Sequence, residues 1–430
     1  MTRHFRRQYG DVFTINLPTF GRTVVVCSPD LVKQVFQAKP DVLAFGVRSP
    51  LGEVLGPGSL FSMDGDQHLR ERRLILPPFH GERMTSYEST VEQETLREIA
   101  TWPIDCEFQT LPSFMRITLN VILRTVFGAT GSETDELRNL LPKLVTRASL
   151  LSLAPMLRRD LGPGSPGRQF KQLRAHYDRI INTMIDARLG DSNASERDDV
   201  MSMLLQAHYD DGASMSRTAI ADELLTLLAA GHETTATSLA WTIERLRRHP
   251  PIVKRLAAEA AGESSELRTA TILEVQRTRP VIIGTGRHVM QDFPLGEFLV
   301  PKGYHLFVVA TAIHGDERFF ERAQQFEPDR FLGRKPDTYT WIPFGGGTRR
   351  CPGAAFAHME MGIVLRTLLR TFELQPSSAP DEAWRNRGVA FAPRRGGRAV
   401  VRRVGRRDSE ATSSSRRNPV PSDIVGVAAS

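Results

Sequence analysis

The chain is poor in cysteine: Cys27, Cys106 and Cys351 are the three in 430 residues. They are too few and too scattered for a disulfide framework, and none stands in a Cys-x-x-Cys zinc pattern, so a reducing, cytoplasmic setting is expected. Long apolar runs are missing too. No stretch of about eighteen apolar residues occurs, and the opening MTRHFRRQYGDVF is basic, so neither a signal peptide nor a membrane anchor is expected. There is no repeat of fixed period, which excludes solenoids and propellers.

Acid is absent from one segment. Between Arg385 and Val404 stand Arg385, Arg387, Arg394, Arg395, Arg398, Arg402 and Arg403 with no Asp or Glu, seven arginines that match the whole net charge of +7. Total charge alone would allow a nucleic-acid partner, but no DNA- or RNA-binding motif accompanies it. The segment reads as a solvated arginine-rich surface or a docking face for an acidic protein.

What is present is ordinary globular material, 40% hydrophobic and 24% charged. The runs DVFTINLP and RTVVVCSP predict two strands with a turn at Phe20-Gly21. Apolar spacing predicts helices over 29 to 38, 67 to 76, 85 to 100, 113 to 127, 134 to 157, 167 to 189 and 197 to 207, with a long loop at 43 to 66 and a break at 161 to 167. The longest pattern runs from Ser216, an N-cap, to His249 before Pro250-Pro251, roughly 50 Å at 1.5 Å per residue. A further helix, an irregular β region, a meander, a helix from Cys351 to Phe372 and strands around 387 to 404 follow. The predicted fold class is mainly α with a small β lobe (α+β), one catalytic unit over 1 to 404. The Ser/Arg-rich stretch 405 to 430 reads as a disordered tail.

Chemistry concentrates at Phe344-Gly-Gly-Gly-Thr-Arg-Arg-Cys351-Pro-Gly-Ala354. Three glycines let the backbone bend and approach a flat ligand, then deliver Cys351 to a helix start, where free N–H groups favour a thiolate. Arg349 and Arg350 are expected to lower the thiol pKa further. A glycine-rich loop before a helix can instead cradle phosphate, but this one lacks the Lys-Ser/Thr ending of a P-loop. The loop resembles the haem-binding pattern F-x-x-G-x-R-x-C-x-G of cytochromes P450, through Phe344, Gly347, Arg349, Cys351 and Gly353.

Other segments strengthen the resemblance in order. Ala230-Gly231-His232-Glu233-Thr234-Thr235 is similar to the family's oxygen-binding motif, which implies a helix loosened at Gly231 and proton relay by Glu233 and Thr234. A threonine back-bonded to its own helix is the plainer reading of the same residues. The pattern E-x-x-R occurs five times, but only Glu274-Val-Gln-Arg277 precedes Arg-Pro at the family's distance from the cysteine. With Arg330 of Phe326-Glu-Pro-Asp-Arg-Phe331, the resemblance implies a structural ion-pair cluster. It also places His68 and Arg72, one helical turn apart, with Arg287 and Arg349 around the haem propionates.

The resemblance thus implies haem b with Cys351 as axial ligand, in a monomeric monooxygenase that inserts one oxygen atom from O2 into an apolar substrate. Ferredoxin and an NAD(P)H-dependent ferredoxin reductase would supply electrons, since no FMN, FAD or iron–sulfur signature is present. Arg350 and the 385 to 403 segment are expected to receive the donor. Leu227, Leu228, Val281, Ile282 and Ile283 are expected near the haem. Two other readings remain: a peroxide-driven haem-thiolate enzyme and a non-enzymatic haem sensor. The chain departs from the family in starting almost at the first strand, without the usual first helix.

Overall fold

The computed structural model describes residues 2–17, 20–45, 49–128 and 131–405. The expected tail lies outside these residues from 406 onward. The helices are α1 Thr2–Tyr9, α2 Pro29–Gln37, α3 Gly52–Leu55, α4 Gly65–Ile75, α5 Arg83–Ile99, α6 Leu111–Phe127, α7 Ser132–Leu153, α8 Pro166–Leu189, α9 Val200–Gln206, α10 Arg217–Leu246, α11 Pro250–Ala261, α12 Glu266–Thr278, α13 Ala310–His314 and α14 Ala354–Thr371. The mainly α composition expected from apolar spacing is therefore observed, and α1 corrects the expectation that no helix precedes the first strand.

The β lobe is a five-stranded sheet in the order Val12–Leu17, Gly21–Val26, His305–Val309, Gly284–Val289, Leu43–Ala44. The first two strands form an antiparallel hairpin, with Phe13 opposite Val25 and Leu17 opposite Gly21. Gly21 holds φ at +68°, a left-handed conformation that glycine adopts without steric cost. The second strand then pairs in parallel with His305–Val309, which carries the sheet to Gly284–Val289. Two residues of the predicted 43 to 66 loop thus complete the sheet, and α3 lies within the same loop.

Helix α10 runs through the principal core. Its N-cap is the predicted Ser216, whose Oγ accepts the Ala219 N–H at 3.1 Å. Because α6, α12 and α14 pack around it, α10 needs no polar face: residues 220 to 228 and 235 to 246 are buried. Residues 229, 230, 231, 233 and 234 interrupt this burial, and Ala230 is exposed. One window therefore opens midway along an otherwise enclosed helix.

Candidate functional site

The cysteine loop is built against α2. Gly345 and Gly347 hold φ at +66° and +64°. A Cβ on Gly346 would stand 2.1 Å from the Phe36 ring, and one on Gly347 would stand 2.2 Å from the Phe36 carbonyl oxygen. These glycines are needed for packing on Phe36, a reason different from the expected close approach to a ligand. The Cys351 N–H donates to the Phe344 carbonyl at 3.0 Å and closes the loop three residues before α14.

Cys351 is solvent-accessible but deeply set. Burial pushes its thiol above the ordinary value, opposed by the Gly353 N–H and by the charges of Arg72 and Arg350. The expected depression by Arg349 is not found, because Arg349 turns away to Asp64, the Leu60 carbonyl (3.0 Å) and the Met63 carbonyl. Desolvation outweighs the neighbouring cations in the protein alone.

Four predicted residues meet around this loop. His68 is buried on α4, with Arg72 one turn later. Arg287, on the strand Gly284–Val289, donates to the Gly286 carbonyl at 2.7 Å, Thr285 Oγ1 at 3.0 Å and the Gly346 carbonyl at 3.3 Å. Burial, then the charges of Arg349, Arg72 and Arg287, bring His68 down to about 3. Burial and Arg349 bring Arg287 down to about 10.

Asp64 is the one carboxylate acting on this group among the described residues, against three guanidinium groups. The Arg72 guanidinium makes no hydrogen bond among the described residues. A half-buried cluster with excess positive charge is an anion site. A macrocycle carrying two carboxylates, seated on an accessible cysteine sulfur, fits this donor set.

The α10 window supplies the remaining predicted residues. Thr234 Oγ1 donates to the Ala230 carbonyl at 2.7 Å, one turn back on the same face. Helix α10 is unbroken through Gly231, whose absent Cβ would point at Ile122 of α6 at 3.3 Å. The helix is therefore not loosened there; the glycine lets α6 and α10 approach. The His232 ring is buried and pairs Nδ1 with the Leu228 carbonyl at 2.7 Å, while its backbone carbonyl accepts Thr118 Oγ1 of α6 at 2.9 Å. Glu233 points elsewhere, and its Oε1 accepts Arg387 Nε at 2.9 Å.

Behind the cysteine loop, Glu274 and Arg277 are both buried and joined by two 2.7 Å contacts. Arg330 Nε lies 3.2 Å from Glu274 Oε2, and the Glu327 N–H donates to Glu274 Oε1 at 2.9 Å. Arg277 also donates to the carbonyls of His314 (2.6 Å), Ala323 (2.9 Å) and Gln325 (3.0 Å). Every charge in the cluster is thus paired and hydrogen-bonded, as burial demands.

Sequence reasoning missed His314. Its ring takes the Ile342 N–H on Nε2 at 3.0 Å and pairs Nδ1 with the Arg277 carbonyl at 3.1 Å, which makes Nδ1 the protonated nitrogen. The Trp341 indole N–H donates to the Leu273 carbonyl at 3.1 Å. These contacts moor the segment that leads into Phe344. Asp64 and Arg387 were missed as well, and no local pattern marks any of the three.

One expectation is narrowed and one corrected. In the 385 to 403 segment Arg387 pairs with Glu233, Arg398 with Glu107 and Arg402 with Asp105, while Arg385, Arg394, Arg395 and Arg403 are exposed and make no ion pair among the described residues. Leu228 and Val281 are core residues, Leu228 fully buried and Val281 packed in a cluster with Trp241.

Comparison with known proteins gives one answer. A family model described as "Cytochrome P450" matches residues 1–396. The protein named "Putative cytochrome P450 138" of Mycobacterium tuberculosis (strain ATCC 25618 / H37Rv) is 50% identical over 400 residues, covering 93% of this chain and 90% of that protein. "Putative cytochrome P450 135B1" of the same strain is 36% identical over 422 residues, covering 95% and 88%. Among solved structures, "Retinoic acid bound cyanobacterial CYP120A1" superposes with a TM-score of 0.83 at 21% identity, covering 94% of each chain. "Crystal structure of cytochrome P450DA heme domain" gives 0.81 at 21% identity, covering 93% and 91%.

Proposed function

The chain belongs to the cytochrome P450 family, whose members are haem b iron-thiolate enzymes, and we propose that it inserts one oxygen atom from O2 into an apolar organic substrate. The observation that carries this reading is the cysteine loop, which presents an accessible Cys351 beside a half-buried, cation-rich cluster. When bound, the haem activates dioxygen at iron, and the thiolate donates electron density that favours O–O cleavage.

In this reading Cys351 Sγ would hold the haem iron, and Arg72, Arg287 and Arg349 with His68 would hold the propionates. Phe344, Gly347 and Gly353 shape the loop, while Ala230 and Gly231 leave the window in α10 open. Thr234 Oγ1, whose proton is committed to the Ala230 carbonyl, offers its oxygen as an acceptor at the window. Glu233 is the acid that exchanges protons with solvent, held through Oε1 by Arg387. Glu274, Arg277 and Arg330 have a structural role.

The electrons come from a ferredoxin and an NAD(P)H-dependent reductase, with docking centred on Arg350, which is exposed in the cysteine loop. The paired arginines near the C-terminus are not required for it. A substrate consisting mainly of hydrocarbon fits the family's pocket chemistry; Ile283, partly exposed, remains a candidate contact. Among the described residues no helix is long and apolar enough to cross a membrane.

The test is a reconstituted assay with ferredoxin, reductase and NAD(P)H, after spectral titration of the ferric protein with fatty acids, terpenoids and steroids. Oxygen-dependent product from a ligand that shifts the spectrum is the expected result. Turnover with peroxide but never with reductant and O2 would select the peroxide-driven alternative, for which the acid–alcohol pair Glu233/Thr234 has no evident need.

A further inference from the structure

Segment 56 to 60 is laid along one face of α10 by contacts that the haem chemistry leaves unexplained. A Cβ on Gly56 would come within 2.4 Å of the Asp222 carboxylate, and one on Gly58 within 2.5 Å of the Ala219 Cα. Only glycine permits this approach at either place. Asp222 Oδ2 accepts the Gly58 N–H at 2.8 Å, and Thr226 Oγ1 bonds Ser59 Oγ at 2.7 Å. Glu223, fully buried, accepts the Leu60 N–H on Oε2 at 2.9 Å. The other backbone group of Leu60, its carbonyl, takes Arg349 Nη1 at 3.0 Å.

We propose that Glu223 is a positioning residue for Arg349, acting through the backbone of Leu60. The proposal rests on the reading that Arg349 faces a haem propionate. Arg349 has three anchors, at Leu60, Met63 and Asp64, all on one stretch of chain. That stretch is fixed to the protein at its N-terminal end by the Asp222, Glu223 and Thr226 contacts on α10. An arginine fork is directed only as well as its acceptors are held, so loss of the Glu223 acceptor frees Leu60 and lets the guanidinium turn.

The state of the carboxyl agrees with an acceptor role. Burial pushes Glu223 up to about 8, opposed by the Leu60 N–H and supported by the charges of Glu71 and Asp222. A neutral acid still offers a carbonyl oxygen to Leu60, so glutamine can take its place.

The experiment uses four holoprotein variants: Glu223→Leu, Glu223→Gln, Arg349→Leu and the Glu223→Leu/Arg349→Leu double. Two quantities are read, the rate of haem transfer to excess apomyoglobin and the ferric/ferrous midpoint potential. Glu223→Leu is expected to lose haem at least fivefold faster and to shift the potential in the same direction as Arg349→Leu. Glu223→Gln should stay within twofold of the parent rate, and the double variant should be no faster than Arg349→Leu. Effects that multiply in the double variant would mean a general loss of stability and overturn the proposal. So would parent-like haem loss in Glu223→Leu beside fast loss in Arg349→Leu, or equal loss in the Leu and Gln variants. Parent-like behaviour of Arg349→Leu itself would remove the propionate assignment, a separate failure, and the proposal with it. If Glu223→Leu does not accumulate as holoprotein, hydrogen exchange over 56–64 decides: slow exchange at the Leu60 amide is expected, and exchange as fast as an exposed loop overturns it.

Discussion

Arg387 Nε lies 2.9 Å from Glu233 Oε1, an ion pair that joins the C-terminal hairpin Trp384–Asn386/Phe391–Pro393 to the open window of α10. Gly388, beside it, presses so close to Ser149 of α7 that a Cβ would stand 2.7 Å from the serine Cβ. The hairpin tip therefore spans α7 and α10 and sets where the acid of the window points. Glu233→Gln is expected to lower product formation about 10²-fold, the scale of general acid–base catalysis. Substrate affinity, read from the spectral shift, should stay within threefold. Thr234→Ala should keep consuming NAD(P)H while product per reductant falls. Because the pair is partly exposed, Arg387→Ala should change stability by less than about 1 kcal/mol in urea unfolding, which assigns any loss of activity to the site.

Cys351→Ser replaces the one sulfur in the loop. The reduced, carbon-monoxide-bound protein is expected to lose the red-shifted Soret band of a haem-thiolate, whereas Cys106→Ser should leave it unchanged. A band that persists in Cys351→Ser would refute the assignment.

Removing Glu274 strands the buried Arg277 guanidinium, while the partly buried Arg330 keeps Glu327. Glu274→Ala is expected to cost about 3–5 kcal/mol, the scale of a broken buried ion pair, and to abolish accumulation of haem-loaded protein. Arg402→Ala, at an exposed pair with Asp105, should change the urea midpoint by no more than about 1 kcal/mol. Equal effects of the two would contradict the structural role of the cluster.

His314 makes stability depend on acid. Burial, then the charge of Arg277, brings it down from 6.5 to about 3, so the folded chain keeps it neutral while the unfolded chain protonates it. The unfolded state therefore binds more protons between about pH 6.5 and pH 3, and stability falls as pH drops through that window, by at most about 1.4 kcal/mol per unit for one group. His358, brought down to about 4 by burial and then Arg350, adds in the same direction. His314→Gln, which can still accept the Ile342 N–H, should flatten the decline in urea midpoint between pH 7 and 5.

Reduction by an acidic donor should depend on Arg350. Arg350→Glu is expected to slow the first electron transfer more than tenfold at low ionic strength and to weaken its response to salt. Arg398→Glu, whose parent residue is already paired with Glu107, should have a smaller effect.

Legibility in the sequence followed the range of the contacts. Helix spacing, the Ser216 cap and the Gly-Gly-Gly-x-x-x-Cys order are local, and each appears where it was expected. The partner of a side chain is not local. Arg349 stands two residues before a cysteine in sequence but turns to Asp64, and Arg387 looked like free surface charge until the fold placed it on Glu233, 154 residues away. Hydrophobic type is equally silent about which side a residue faces, so Val281 read as pocket lining but packs with Trp241. The glycines show the same limit: Gly231 marks a close approach, but only α6 reveals to what.

The contact of Gly346 and Gly347 with Phe36 bears on biosynthesis. Roughly 310 residues separate the two sides, so this contact cannot form until nearly the whole chain has left the ribosome. Closing so long a loop is entropically late, and topologies rich in such contacts fold slowly. The seat of the cysteine should therefore be among the last parts to organise, after the helical core has collapsed, and a nascent chain cut short before residue 346 would leave the Phe36 side of α2 without its glycine partners.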